Sequence, residues 1–126
     1  MQFRYARHSQ NINQLIDFYT SVLHFEVLGE FKNHHGYDGV FLGLKDENWH
    51  LEFTQNTDQP QSKFDEDDAL VFYSKTQKSF AEILENLKKF NVPLLEPKNP
   101  YWKNKAVCFE DSDGYKIIVS TDKVEK

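Results

Sequence analysis

Apolar and polar residues alternate from Gln2 to His8, which predicts a strand. The period then changes. Ile12, Leu15, Ile16, Tyr19, Val22 and Leu23 recur at three- and four-residue steps, the signature of a helix with one buried face. Asn11 or Asn13 can cap its start. His24 stands just past its end, where the backbone turns left-handed; glycine is favoured there and histidine is tolerated. Alternation returns at Phe25 to Lys32, at Tyr37 to Leu44 and at Trp49 to Thr54. The breaks between these strands are Asn33-His34-His35-Gly36 and Lys45-Asp46-Glu47-Asn48, with Asn48 suited to a left-handed position.

The pattern then restarts. Asn56 to Asp68 is polar, contains Pro60, and closes on Asp65-Glu66-Asp67-Asp68, as a solvated linker would. Ala69 to Ser74 reads as a strand. Ser79 to Phe90 reads as a helix with Phe80, Ile83, Leu84 and Leu87 on one face. Val92 to Leu95, opened by Pro93, reads as a strand, and Asn99 to Asn104 as a loop carrying Tyr101 and Trp102. Lys105 to Glu110 and Tyr115 to Ser120 are strands joined by Asp111-Ser112-Asp113-Gly114, with Gly114 in the left-handed position. Each half is thus strand, helix, three strands. The halves superpose without a gap: Leu51-Glu52-Phe53 falls on Ile117-Ile118-Val119, an offset of 66 (117 − 51). On that offset Cys108 lies opposite Leu42. The predicted organisation is one domain of two modules, 1–56 and 69–126, joined by a linker at 57–68.

Composition narrows the partners. Hydrophobic residues make 39% of the chain and aromatics 15%, enough to build a core at this length. The net charge of −5 argues against a nucleic-acid backbone and is compatible with a cationic or neutral small molecule. No apolar run reaches the ~20 residues of a membrane span, and the first residues lack a signal-like apolar stretch, so a cytoplasmic protein is expected. The single cysteine, Cys108, excludes an internal disulfide and reads as a small core residue.

The helix ending Asp17-Phe18-Tyr19-Thr20-Ser21-Val22-Leu23, the strand Leu51-Glu52-Phe53-Thr54 and the hairpin Glu110-Asp111-Ser112-Asp113-Gly114-Tyr115-Lys116-Ile117 occur in the order seen in the vicinal oxygen chelate superfamily. The chain resembles that superfamily over nearly its whole length. Its members include glyoxalase I, extradiol dioxygenases and the bleomycin and fosfomycin resistance proteins. The resemblance implies an α+β fold of two βαβββ modules forming a curved mixed sheet around a cleft, commonly in a homodimer. It also implies a divalent metal held by the first and fourth strands of each module. Carried onto this sequence, those positions are Arg4, Glu52, Leu70 and Ile118. Only Glu52 can ligate; a guanidinium has no lone pair to offer. Metal-dependent chemistry is therefore disfavoured, and no cofactor is expected.

Strand alternation places Arg4, Ala6 and His8 on one face and His50, Glu52 and Thr54 on one face. If the superfamily arrangement holds, Arg4 and Glu52 form an ion pair where the metal would sit. That pair is either a structural charge pair or an anchor for a polar head group. His50 is the best candidate for a general base, because histidine exchanges protons near neutrality, yet no Ser or Cys is recognisably paired with it. Tyr101 and Trp102 can form a stacking wall, or close a sheet end or a dimer contact. With Phe72 they complete the expected ligand-binding set: Arg4, His50, Glu52, Phe72, Tyr101 and Trp102. His34 and His35 are adjacent, not at a chelating spacing, and read as turn residues. The expected function is metal-free binding of a cationic or aromatic small molecule, such as a drug or toxin. The alternatives are a lyase or dioxygenase-type enzyme with a non-standard site, or a structural domain.

Overall fold

Two units, Met1–Ser62 and Lys63–Lys126, divide the chain. A computed structural model describes residues 1–61 and 64–121. Two residues of the expected linker, 62 and 63, and the end of the second module, 122–126, lie outside the described residues.

The first unit runs β1 (Phe3–His8), α1 (Ile12–Val22), β2 (Glu26–His34), β3 (Tyr37–Gly43) and β4 (Trp49–Gln55). Its sheet has the order β1-β4-β3-β2, with β1 parallel to β4 and the other pairs antiparallel. Asn11 is the cap: its side chain accepts from the Gln14 amide at 3.1 Å. The Ile12 amide donates to Gln55 Oε1 at 2.9 Å, which fixes the start of α1 to the end of β4. Leu15, Tyr19 and Val22 of α1 are buried with Leu42, Leu51 and Phe53 of the sheet. Tyr19 stacks on Phe25 at 5.8 Å and leans on Phe53 at 5.4 Å. Each such side chain removed from water stabilises the fold by about 1.5–3 kcal/mol. Arg7 is buried as well, its guanidinium 4.8 Å from the centre of the Phe53 ring.

His24 stops the helix as expected, with φ 57°. The β2–β3 turn is tighter than expected. β2 runs through His34, and Asn33, His35 and Gly36 supply the positive φ. The His34 and His35 rings consequently meet edge to face at 4.6 Å, instead of pointing to opposite faces. Asn48 does not adopt the left-handed conformation. Its carbonyl accepts from the Phe3 amide and its side chain donates to the Met1 carbonyl, so it ties the turn to β1.

The second unit runs β5 (Leu70–Tyr73), α2 (Gln77–Lys89), a short 3₁₀ turn (Pro100–Trp102), β6 (Ala106–Glu110) and β7 (Lys116–Ser120). The sheet order is β5-β7-β6, with β5 parallel to β7. Thr76 caps α2 by accepting from the Ser79 amide, so the helix begins at Gln77, two residues before the expected start. Val92 to Leu95 is not a strand. It makes one bridge, from the Leu95 amide to the Cys108 carbonyl at 2.8 Å. Pro93 and Pro97 have no amide proton to continue the ladder. Gly114 has φ 86°, and Asp111 Oδ1 accepts from the Asp113 and Tyr115 amides. The architecture is α+β, two βαβββ-type modules with sheets of four and three strands.

The repeat is not gapless. Leu42 pairs with Leu51 across eight intervening residues, whereas Phe109 pairs with Ile117 across seven. Anchored on β4 and β7, the partner of Phe41 is Cys108 (108 − 41 = 67), and the partner of Tyr5 is Leu70 (70 − 5 = 65). Arg4 therefore corresponds to Ala69, not Leu70, and Cys108 corresponds to Phe41, not Leu42.

Candidate functional site

Register decides which side chains share a face. Arg4 lies beside His50 and Ala6 beside Glu52, while Phe41 faces Glu52 across the next ladder. These residues occupy the side of the first sheet opposite Leu42, Leu51 and Phe53. There Arg4 Nε donates to His50 Nε2 at 2.9 Å, and Arg4 NH1 donates to Glu52 Oε1 at 3.0 Å. The guanidinium carbon sits 4.9 Å from the centre of the Phe41 ring, and His50 meets the same ring edge-on at 5.3 Å. Arg4 only donates, so His50 Nε2 is the acceptor in this contact. The Arg4 side chain remains 51% exposed and that of Glu52 13%. The ion pair expected from sequence forms, and it includes His50 as a third member.

Phe41 is the residue the sequence reading missed. Its signal is the glycine spacing. A Cβ at Gly29 would approach the Phe41 ring to 3.0 Å, and one at Gly39 would overlap the Phe31 ring. The rings lie across those glycines, with centres 5.9 Å apart. At the far end of this face His8 Nδ1 meets Thr54 Oγ1 at 2.9 Å, and Tyr37 abuts the His8 ring.

The other expected residues lie in the second unit. Phe72 pairs with Val119, so it faces away from Ile118 and Cys108. Tyr101 and Trp102 meet edge to face at 4.9 Å, not as two parallel plates, and the Lys105 ammonium sits 4.1 Å from the centre of the Tyr101 ring. Trp102, Ala69, Cys108, Ile118, Glu66 and Lys98 line a cavity of about 40 Å³, room for water and little more. The acidic run is more anchored than a solvated linker. Lys116 Nζ donates to the Glu66 carbonyl at 2.7 Å, and Lys98 lies 3.6 Å from Glu66 and 3.7 Å from Asp67. Asp67, Glu66 and Asp65 raise the Lys98 pKa by their charge. Burial pushes the Cys108 thiol up.

Two sequence families match, described as the YycE-like N-terminal domain over residues 3–54 and the YycE-like C-terminal domain over residues 67–121. The chain belongs to the YycE-like family. YycE of Bacillus subtilis, an uncharacterized protein, is 38% identical over 97% of this chain and 88% of its own. The crystal structure of a Bacillus subtilis YycE protein, described with the glyoxalase/fosfomycin resistance proteins, superposes with a TM-score of 0.87. It is 37% identical, covering 99% of this chain and 92% of that one. Two more distant structures share the fold. The trypanothione-dependent glyoxalase I of Leishmania major is 23% identical with a TM-score of 0.73, covering 95% of this chain and 85% of its own. The fosfomycin resistance protein FosX of Mesorhizobium loti is 10% identical with a TM-score of 0.69, covering 96% and 90%. The YycE-like chain is thus a member of the glyoxalase/fosfomycin resistance superfamily, as its motifs suggested.

The metal of that superfamily is a poor fit to these residues. The lone pairs of Glu52 Oε1 and His50 Nε2 both accept from a cation, Arg4, where a metal ion would need them. The matching positions of the second unit, Ala69 and Ile118, carry no donor. Among the described residues no three His, Cys, Asp or Glu side chains converge.

Proposed function

We propose that this protein binds a small organic molecule without a metal, on the open face of the first sheet. One observation carries the reading. A guanidinium is fixed by two acceptors over an aromatic ring, yet half of the Arg4 side chain stays exposed. Pre-set in this way, it loses little freedom when a ligand oxygen arrives. Arg4, His50 and Glu52 supply the polar contacts, and Phe41 supplies the apolar one. His50 is less suited to a general base, because its unprotonated nitrogen is already occupied by Arg4. The working form in this reading is a cytoplasmic homodimer, and light scattering at monomer mass would remove the dimer.

The test is an amide-detected NMR titration with a panel of cationic, anionic and neutral aromatic compounds. Saturable shifts are expected at Arg4, Phe41, His50 and Glu52, lost in Arg4→Gln. An absence of saturable binding across the panel, or shifts confined to other residues, would overturn the reading.

A further inference from the structure

The open face has two parts, and each restricts the ligand. The polar part is electrically balanced. Arg4 contributes one positive charge and Glu52 one negative charge 3.0 Å away, and His50 Nε2 accepts from Arg4. An anion approaching Arg4 comes within a few ångströms of the Glu52 carboxylate, and a cation approaching Glu52 meets Arg4. Either pays in repulsion what it gains in attraction. An uncharged group with a donor beside an acceptor meets no such opposition. The NH2 nitrogen of Arg4 and Oε2 of Glu52 have no partner among the described residues, so the paired groups keep one further donor and one further acceptor. A carboxamide or lactam complements them, its carbonyl accepting from Arg4 and its N–H donating to Glu52.

The second part is an aromatic floor. Phe41 touches Arg4 and His50, and Phe31 continues from Phe41 over Gly39. Both phenyl rings are half-buried, and Gly29 and Gly39 are what permit them to lie across the sheet. The two rings are tilted by 50°, so a planar body that stacks on one meets the other at an angle.

We infer that the site selects an uncharged planar aromatic amide or lactam, with its amide on Arg4 and Glu52 and its ring on Phe41 and Phe31. This rests on the small-molecule reading above and adds a charge rule to it. Three compounds of one shape test the rule: 2-naphthamide, 2-naphthoate and 2-naphthamidine, titrated against the full chain by calorimetry and by NMR. The amide is expected to bind about tenfold or more tighter than either ion, with shifts at Arg4, Glu52, Phe41 and Phe31. Glu52→Gln leaves a net positive site and should reverse the order, naphthoate above naphthamide. Its near-isosteric side chain keeps an acceptor for Arg4, and circular dichroism confirms the fold. Naphthoate or naphthamidine binding the native protein as tightly as the amide, at these residues, overturns the charge rule and leaves the small-molecule reading standing. No binding of any of the three, while other aromatics bind this face, also overturns the rule. No binding by any aromatic overturns both.

Discussion

The two modules use matching strand positions for opposite ends. In the first, the sheet face away from the helix carries Arg4, His50 and Glu52 over Phe41, and much of it remains accessible. In the second, the corresponding positions are Ala69, Lys116, Ile118 and Cys108. Trp102 and the Glu66–Asp67 turn cover them, leaving about 40 Å³. Both faces rest on the same parallel pair of first and last strands. The difference lies in side chains and in one loop, so backbone architecture alone does not make a site. A polar cluster that stays wet can serve a ligand, whereas the apolar counterpart contributes stability.

Exchanging the central residues should expose that division, and it is the largest effect expected. Ile118 is 5% exposed, and Ile118→Glu would bury a carboxylate in a cavity whose Lys98 is already paired with Glu66 and Asp67. A loss of about 3 kcal/mol or more is expected in urea denaturation. The reverse exchange, Glu52→Ile, frees an arginine that already reaches water. Its cost should stay below about 1 kcal/mol. Equal losses in the two variants would mean the faces are not open and closed in the manner described.

Next comes the floor. Gly39 in the first module corresponds to Ala106 in the second, each pairing across to the equivalent residue, Thr54 or Ser120. Gly39→Val drives a side chain into the Phe31 ring and should cost about 1–3 kcal/mol, with a parallel loss of affinity for planar ligands. Ala106→Val should cost below about 1 kcal/mol, because that position already accommodates a Cβ. Stability melts of the pair, read side by side, decide it.

Much of this was legible in the chain. Periodicity located both helices and all seven strands that the structure contains, and an eighth expected strand, Val92 to Leu95, did not form. Alternation put Arg4 and Glu52 each on one face of its strand, and the superfamily resemblance set the two strands side by side. The misses have specific causes. A gapless offset cannot register length differences: the extra hairpin residue of the first module set Leu42 against Cys108, and the longer stretch from β5 to β6 in the second set Leu70 against Arg4. Pro93 and Pro97 reduced an apolar stretch to one bridge, because a strand needs donors as well as apolar side chains. Phe72 looked like a site residue until register put it on the face with Val119. Phe41 and Phe31 were hidden because their exposure depends on glycines in a neighbouring strand, a cross-strand relation no local window contains.

Smaller and more even effects are expected at the helix starts. Asn11→Ala removes the acceptor for the Gln14 amide, and Thr76→Ala the acceptor for the Ser79 amide. Each should cost about 1 kcal/mol in thermal or urea unfolding. Similar values would show that the modules differ in their faces and not in how their helices begin. A near-zero cost for one alone would place part of the asymmetry in the helices.

The smallest effect on stability gives the most direct reading of open against closed. Cys108 is 2% exposed, and burial raises its pKa above the ordinary 9.0. The thiol therefore stays protonated in the folded chain at pH values where the unfolded chain ionises. Above about pH 9 the unfolded state binds fewer protons than the folded one, so stability falls as pH rises through that value. Iodoacetamide at pH 8 should react with Cys108 only slowly, since the thiolate is scarce and covered. The corresponding position of the first module is Phe41, on the accessible face. In Phe41→Cys the introduced thiol should be alkylated at least about tenfold faster than Cys108 in the same molecule, resolved by peptide mass spectrometry. Comparable rates at the two positions would mean that the second face opens as readily as the first, and the contrast between the modules would then be one of residue type without a difference in access.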